Sequence, residues 1–170
     1  NLYHTSKERN LSEKISSTLT NFPCDVLFVH RDSEKKEKEI FESRKEEIES
    51  AWTSAVKNNE KHVPVIPIRM TEAWLLIDEL AIRKASGNPN GTIPIQLPAI
   101  ATLETLHNPK NILEKLIYDA SELRKRILKK FNVSQAKHLV SEYINDFSPL
   151  KQLTAFQSFE NDLNAVLKGL

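Results

Sequence analysis

The architecture of the chain follows from residues 63–78, Val63-Pro64-Val65-Ile66-Pro67-Ile68-Arg69-Met70-Thr71-Glu72-Ala73-Trp74-Leu75-Leu76-Ile77-Asp78. The run from Val63 to Ile68 is apolar and β-branched, which indicates a buried strand. The pattern turns helical at Thr71, whose hydroxyl is suited to cap a first helical turn. Glu72 lies in that turn, where the helix dipole favours a negative charge. Because open α/β sheets bind ligands where their strands end, Glu72 either stabilises the helix start or binds a ligand.

A second strand ends in a similar way. Residues 25–29 are apolar after Asp25, and they run directly into His30-Arg31-Asp32-Ser33-Glu34. Side chains two residues apart on an extended chain leave from the same face, which groups Asp32 with Glu34. Two parallel strands that both deliver acids at their carboxyl ends would bring Asp32, Glu34 and Glu72 together. Such a cluster needs a cation, and oxygen ligands suit Mg²⁺ or Mn²⁺.

The segment between these strands predicts a helix over about residues 37–57. One crossover helix between strands near 25–30 and 63–69 makes a βαβ unit, which should be parallel and right-handed. Arg44 falls on the apolar stripe of that helix. Either its stem packs on the sheet while its head reaches water, or its guanidinium meets Asp32 or Glu72, or a bound phosphate.

The remainder of the chain is predicted to be helix-rich. A helix runs from Glu72 to about Ser86 and ends at Gly87, with Asp78 exposed to solvent on its far side. Residues 109–168 should form a mostly helical lobe, opened by Asn108 as cap and Pro109 in the first turn. We therefore divide the chain into an α/β domain, 1–100, and a helical lobe, 101–170. The cations of residues 124–130 are either a solvated helix face or a patch for phosphate backbone.

Composition is that of an ordinary globular protein. The 170 residues are 39% hydrophobic and 28% charged, with a formal net charge of +1, so overall charge does not support nucleic-acid binding. The single cysteine, Cys24, excludes an internal disulfide, and we expect it to be buried where the first strand starts. No apolar run could span a membrane and no signal peptide is visible, so we expect a cytoplasmic protein. The chain begins at Asn1 without methionine, and we expect further residues upstream.

Several common catalytic motifs are absent from the sequence. Neither a P-loop nor a dinucleotide-binding glycine motif occurs, and three glycines leave little material for a phosphate-binding loop. No nucleophile elbow of the G-x-S-x-G type is present. No two histidines are spaced as H-x-x-x-H, which argues against a zinc site. Cys24 and the acids are at opposite ends of the strand, which argues against a cysteine–histidine nucleophile.

Taken in order, these motifs resemble the standalone Toprim-like proteins. The resemblance covers about residues 24–165. It includes the strand end at 30–34, Arg44, the run 63–69 followed by Thr71-Glu72-Ala73-Trp74, Asn108-Pro109-Lys110, and the ending with Leu153, Phe156 and Phe159. Toprim domains of topoisomerases, primases and related nucleases carry a glutamate after the first strand and a D-x-D after a later one, and they bind Mg²⁺. Asp32-Ser33-Glu34 matches the D-x-D with glutamate as its second acid, whereas the first-strand glutamate has no counterpart here and is expected upstream of Asn1.

The resemblance implies a metal-dependent nuclease that cleaves phosphodiester bonds of DNA or RNA. Asp32 and Glu34 would hold Mg²⁺ or Mn²⁺, Glu72 would be a further ligand or orient the metal's water, and Arg31, Arg44 or Lys110 would neutralise substrate phosphate. Relatives are often encoded beside ATPases in bacterial defence and mobile-element loci, so a partner ATPase is expected. The alternative is a non-catalytic module that docks on, or senses, such an ATPase or a nucleic acid. A homodimer remains open.

Overall fold

The computed structural model describes residues 10–33, 38–56 and 59–170. Two strands are present in these ranges, β1 (Val26–His30) and β2 (Lys61–Val65). The α-helices are α1 (Leu11–Asn21), α2 (Lys38–Ala55), α3 (Glu79–Ala85), α4 (Pro109–Ser121), α5 (Lys125–Leu128), α6 (Val133–Tyr143) and α7 (Thr154–Leu167). Short 3-10 helices occupy Thr71–Leu75, Ile100–Thr105 and Ser148–Gln152.

The predicted βαβ unit is confirmed. β1 and β2 pair in parallel, with Val26 opposite Lys61 and His30 opposite Val65, and α2 connects them. β2 lies two to four residues earlier than the predicted strand. Val65 still accepts from the Arg31 N–H at 3.0 Å, so the missing N–H of Pro64 points away from β1, where a proline is tolerated.

The helices around this sheet bury one apolar cluster. Its centre is formed by Ile15, Val29, Ile48 and Ile66, each at most 5% exposed. Burying such a side chain contributes about 1.5–3 kcal/mol, so these four side chains anchor α1 and α2 to the strands. The apolar stripe predicted on α2 packs against this cluster through Phe41, Ala51, Trp52, Ala55 and Val56.

The sequence Asn10-Leu11-Ser12-Glu13 predicts a helix start, because a cap residue is followed three positions later by a glutamate, and α1 confirms this prediction. The Asn10 side chain accepts from the Glu13 N–H at 2.8 Å, and the Glu13 carboxylate accepts from the Asn10 N–H at 3.2 Å. This reciprocal pair satisfies two backbone donors that a helix start otherwise leaves unpaired. Cys24, in contrast, is exposed, so the prediction of a buried cysteine is wrong. It precedes the first paired residue of the sheet and therefore lies outside the packed cluster.

The helix predicted from Glu72 to Ser86 is two helices. The first is the 3-10 turn, which ends at Leu75, and the second is α3, which begins at Glu79. Asp78, predicted to be solvated, caps α3 by accepting from the Ala81 N–H at 3.0 Å. An aspartate that bonds the backbone ahead of it favours a new helix start over an uninterrupted helix. The predicted stop is confirmed, because Gly87 follows the helix with φ +74°.

By compactness the chain forms two units. Among the described residues, the first unit comprises 10–31, 38–56, 59–66 and 159–170, and the second comprises 32–33 and 67–158. The units interleave along the sequence, whereas the predicted domains, 1–100 and 101–170, are consecutive. The prediction that residues 109–168 are mostly helical is confirmed by α4 to α7.

The second unit is built on α3, α4 and α6. α3 packs against both other helices, and α4 packs against α6. Leu76, Ile82, Leu113, Ile117 and Val140 are fully buried between the elements of this unit. In the part of the chain that the structure describes, no helix is long and apolar enough to cross a membrane.

Candidate functional site: a cleft lined by Asp32 and Glu72

Asp32 is held in place by the backbone and by its own side chain. The next residue, Ser33, is fully buried, and its N–H donates to the Pro67 carbonyl at 3.1 Å. The Asp32 Oδ1 atom accepts from the Thr71 N–H at 3.2 Å and from the Thr71 hydroxyl at 3.4 Å. The carboxylate is therefore tied to the start of the 3-10 turn that carries Glu72.

This contact changes the role predicted for Thr71. Thr71 is the first residue of the turn rather than its cap, and the capping position belongs to Met70, whose side chain makes no cap bond. Asp32 supplies the missing acceptor from 39 residues away. A negative carboxylate at the start of a helical turn also interacts favourably with its exposed N–H groups.

Asp32 and Glu72 line one cleft within the second unit. The cleft has a volume of about 460 Å³, and its lining also includes Thr71, Met70, Leu75, Ser134, Lys137, His138 and Ser141. The structure therefore places two of the three predicted metal ligands on the same cavity. The third, Glu34, lies outside the described residues.

Helix α6 contributes a stripe of polar residues to this cleft that sequence analysis did not assign to a site. They are Ser134, Lys137, His138 and Ser141. Their spacing of three, four and seven residues puts them on one face of the helix. Lys137 is 16% exposed and forms a 2.8 Å ion pair with Glu114. The stripe could have been found from its spacing, but which cavity it lines depends on tertiary packing.

The donor set of the cleft fits a hard divalent cation in part. Mg²⁺ is commonly bound through one or two carboxylates, with water and substrate phosphate completing its shell, and Asp32 and Glu72 are carboxylates of this kind. Within residues 10–33, 38–56 and 59–170, no group of three or more His, Cys, Asp and Glu side chains is arranged to hold a metal ion. The predicted three-carboxylate site stays a prediction, since Glu34 is not among these residues.

Two of the three predicted phosphate-binding residues meet in the first unit. Arg31 donates through Nη2 to Glu47 Oε1, and Arg44 donates through Nη1 to Glu47 Oε2 at 2.9 Å. All three side chains are about one-third exposed. The Arg31 hydrogen bond lowers the pKa of Glu47, burial opposes this change, and Arg44 adds to the lowering.

The partner of Arg44 differs from the expected one. We expected the guanidinium of Arg44 to meet the carboxylate of Asp32 or Glu72. In the structure its partner is also a carboxylate, but it belongs to Glu47, three residues further along the same helix. Two guanidinium groups on one carboxylate leave a net positive charge. The Nε atoms of Arg31 and Arg44 are buried and have no hydrogen-bond partner among the described residues. Phosphate binding by Arg31 and Arg44 stays a prediction.

Lys110, the third predicted phosphate ligand, is exposed at the second position of α4. Pro109 begins that helix, as predicted. Asn108 occupies the predicted cap position, but its backbone is left-handed with φ 57° and its side chain makes no cap bond. The role of Lys110 in phosphate binding stays a prediction.

Comparison of the chain with protein-family models, with curated proteins and with solved structures found no match. The class that the fold defines is a helix-rich α/β protein with a small parallel βαβ unit. Membership of the Toprim-like family stays a prediction from the sequence motifs.

Proposed function

We propose that this chain is a Toprim-like domain that uses Mg²⁺ or Mn²⁺ to cleave phosphodiester bonds in DNA or RNA. The observation that carries the proposal is the cleft shared by Asp32 and Glu72. These acids are far apart in sequence, and each was predicted to be a ligand because it follows an apolar strand. A shared cavity is a necessary condition for two carboxylates to bind one cation, and this supports the proposal.

Within the cleft, each side chain has a chemical task. Asp32 and Glu72 would hold the divalent cation, which when bound offsets phosphate charge and lowers the pKa of coordinated water. Asp32 is fixed by its two hydrogen bonds with Thr71, so its orientation is set before substrate arrives. Lys137, which also pairs with Glu114 at 2.8 Å, would donate a hydrogen bond to a non-bridging oxygen of a phosphodiester.

We assign the proton transfer to His138, which lines the same cleft. A ring nitrogen of His138 can accept the proton of attacking water. A new P–O bond to the water oxygen would form as the P–O bond to the leaving oxygen breaks. The proton of the water would pass to Nδ1 or Nε2 of His138, and the leaving oxygen would take up a proton from solvent and depart with one nucleotide chain. The resemblance adds a partner ATPase and a role in anti-phage or mobile-element defence to this proposal.

The test is a cleavage assay on labelled DNA and RNA with Mg²⁺ or Mn²⁺, using the protein with and without a candidate partner ATPase. Asp32→Asn and Glu72→Gln should abolish cleavage, because each keeps the shape of the side chain but removes its charge. Asn can still accept from the Thr71 N–H, so the local fold should survive. Glu142→Gln is the matched control, since Glu142 is exposed on α6 and is not part of the cleft lining. Cleavage that persists in both cleft variants would refute the proposal.

The rival function is a non-catalytic module that docks on an ATPase or a nucleic acid. One observation favours this function. The carboxylate of Asp32 accepts a hydrogen bond from the Thr71 N–H, and this structural role accounts for its position without a metal ion. The two functions differ in their response to metal. Binding of the partner that persists in EDTA, together with no cleavage under any metal condition, would support the module.

A further inference from the structure

Five cations lie between Arg124 and Lys130, in and around α5. All five are exposed: Arg124, Lys125, Arg126, Lys129 and Lys130. We call this set the α5 basic patch. None of the five forms an ion pair with any residue that the structure describes, and each therefore keeps its full charge for an external anion.

The acids closest in sequence to the α5 basic patch are already engaged. Asp119 pairs with Lys115 at 2.6 Å. Glu122 accepts from the Ile93 N–H at 2.8 Å. The positive charge of the patch is thus not neutralised by its own segment. Five like charges in seven residues repel one another, which a polyanion would relieve.

An apolar groove lies directly beside the α5 basic patch. Its volume is about 440 Å³, and its apolar side is formed by Leu123, Ile127, Phe131 and Leu139. Asn132, Gln135 and Lys130, a member of the patch, form its polar side. Ile127 is 52% exposed and offers an accessible apolar side chain at this groove. Cations that border an apolar surface match a ligand that carries both phosphates and flat apolar faces.

Helix α6 joins this groove to the acidic cleft. Its residues Gln135, Ala136 and Leu139 line the apolar groove, while Ser134, Lys137 and His138 line the cleft. Both surfaces belong to the second unit. A strand bound along the α5 basic patch would therefore lie next to the helix that also lines the proposed site of cleavage.

We infer that the α5 basic patch and its groove bind single-stranded nucleic acid, with phosphates on the cations and an unstacked base against Ile127. A duplex keeps its bases stacked inside and could use only the cations, so a single strand is the better match. The α5 basic patch would bind the substrate of the proposed nuclease, and the choice of a nucleic acid as the bound polyanion rests on that proposed function.

The experiment measures binding of a fluorescent 20-nucleotide single strand by anisotropy in EDTA, where no metal-dependent cleavage occurs. The triple variant Lys125→Gln, Arg126→Gln, Lys129→Gln should bind about tenfold or more weakly at low salt. Three lost phosphate contacts should also reduce the slope of log K against log salt by about 2. Ile127→Ser should weaken binding several-fold without changing that slope, since it removes apolar contact and no charge.

The matched control is the triple variant Lys14→Gln, Lys61→Gln, Lys168→Gln, which removes the same charge from exposed positions of the first unit. It should bind like the unchanged protein. Three results would overturn the inference: equal loss in both triple variants, tighter binding of a 20-base-pair duplex than of the strand, or binding of poly-glutamate as tight as that of the strand. The last would identify an acidic polypeptide as the occupant.

The binding assay also separates this inference from the proposed function. Asp32→Asn should lose cleavage but keep strand binding in EDTA. If cleavage is absent in every protein while strand binding depends on the α5 basic patch, the nuclease proposal fails and the binding surface stands. If cleavage requires Asp32 but the affinity for the single strand does not change in the α5 basic patch variant, the inferred binding surface is refuted and the nuclease proposal stands.

Discussion

At the scale of single residues, Asp32 has two tasks that can be separated by mutation. Its carboxylate accepts from Thr71, and it lines the cleft with Glu72. Asp32→Ala should lower stability by about 1 kcal/mol through loss of the capping acceptor. That loss lowers the melting temperature by roughly 2–4 °C for a chain of this size. Asp32→Asn keeps an acceptor and should melt close to the unchanged protein, a comparison that calorimetry can make directly.

Glu47 predicts a pH dependence of stability. The Arg31 hydrogen bond lowers its pKa from the ordinary 4.5, so folding favours the ionised form. The resulting stability is fully present above about pH 4.5 and is lost as the pH falls through the lower folded-state value. Glu47→Gln should therefore cost about 0.5–1 kcal/mol at pH 7, as expected for a partly exposed ion pair, and less at pH 3.

Urea unfolding of the two proteins at pH 7 and pH 3 measures this difference. Glu142→Gln should show no such change with pH, since Glu142 is exposed and forms no ion pair among the described residues. A Glu47→Gln deficit that is the same at both pH values would mean that the carboxylate contributes through packing and not through its charge.

At the scale of elements, the loop after α3 is held by a buried arginine. Arg83 is 7% exposed, donates through Nε to Glu79 and through Nη2 to the Ile93 carbonyl, each at 2.8 Å. Gly91 lies against this arrangement. A Cβ atom there would come within 2.7 Å of Arg83 Nη1 and 2.8 Å of Glu122 Oε1.

Gly91→Ala should therefore destabilise the protein by about 1–3 kcal/mol, the usual cost of overpacking. The matched control is Gly169→Ala, whose added methyl group would have its nearest neighbour at an ordinary 3.6 Å. Denaturant unfolding should show a lower midpoint for Gly91→Ala alone. Equal midpoints would mean that the Arg83 and Glu122 side chains move aside without loss of their bonds.

Two elements in the second unit start at acceptors supplied from far along the chain. The turn at Thr71 uses Asp32, and α7 uses the buried Glu104, which accepts from the Ala155 N–H at 2.9 Å. Helix starts leave backbone donors unpaired, and a buried donor must find some acceptor. In both places the acceptor is a carboxylate, which also complements the dipole of the element it caps.

At the scale of the whole molecule, divalent metal should stabilise the protein if the proposed function is correct. A ligand that binds only the folded state, at a hundred times its dissociation constant, adds about 2.7 kcal/mol. For this chain length the melting temperature would rise by roughly 5–10 °C. Asp32→Asn and Glu72→Gln should each remove that rise, whereas Glu142→Gln should retain it.

Differential scanning fluorimetry with MgCl₂, MnCl₂ or EDTA makes this measurement without any substrate. The melting temperature does not depend on cleavage, so this measurement tests the metal site without knowledge of the natural substrate. A rise that survives in both Asp32→Asn and Glu72→Gln would assign the metal to other ligands. No rise in the unchanged protein would favour the docking module.

Patterns that are local in sequence predicted local structure well. The apolar runs at 25–30 and 63–69, with one helix between them, were sufficient to predict a parallel βαβ unit. Asn10 and Glu13 predicted the start of α1, and Pro109 predicted the first turn of α4. These features depend on spacings of two to four residues, which strand and helix geometry sets directly.

Most contacts between side chains that are distant in sequence were decided by the tertiary structure. The sequence predicted that Asp32 and Glu72 would lie together, but not that Asp32 would cap the turn before Glu72. Nor did it indicate that α6 would bring Lys137 and His138 to the same cleft. Such contacts join residues tens of positions apart, and they depend on how helices pack side by side. Helical spacing determines which side chains share a face, whereas the packing of whole elements determines what that face meets.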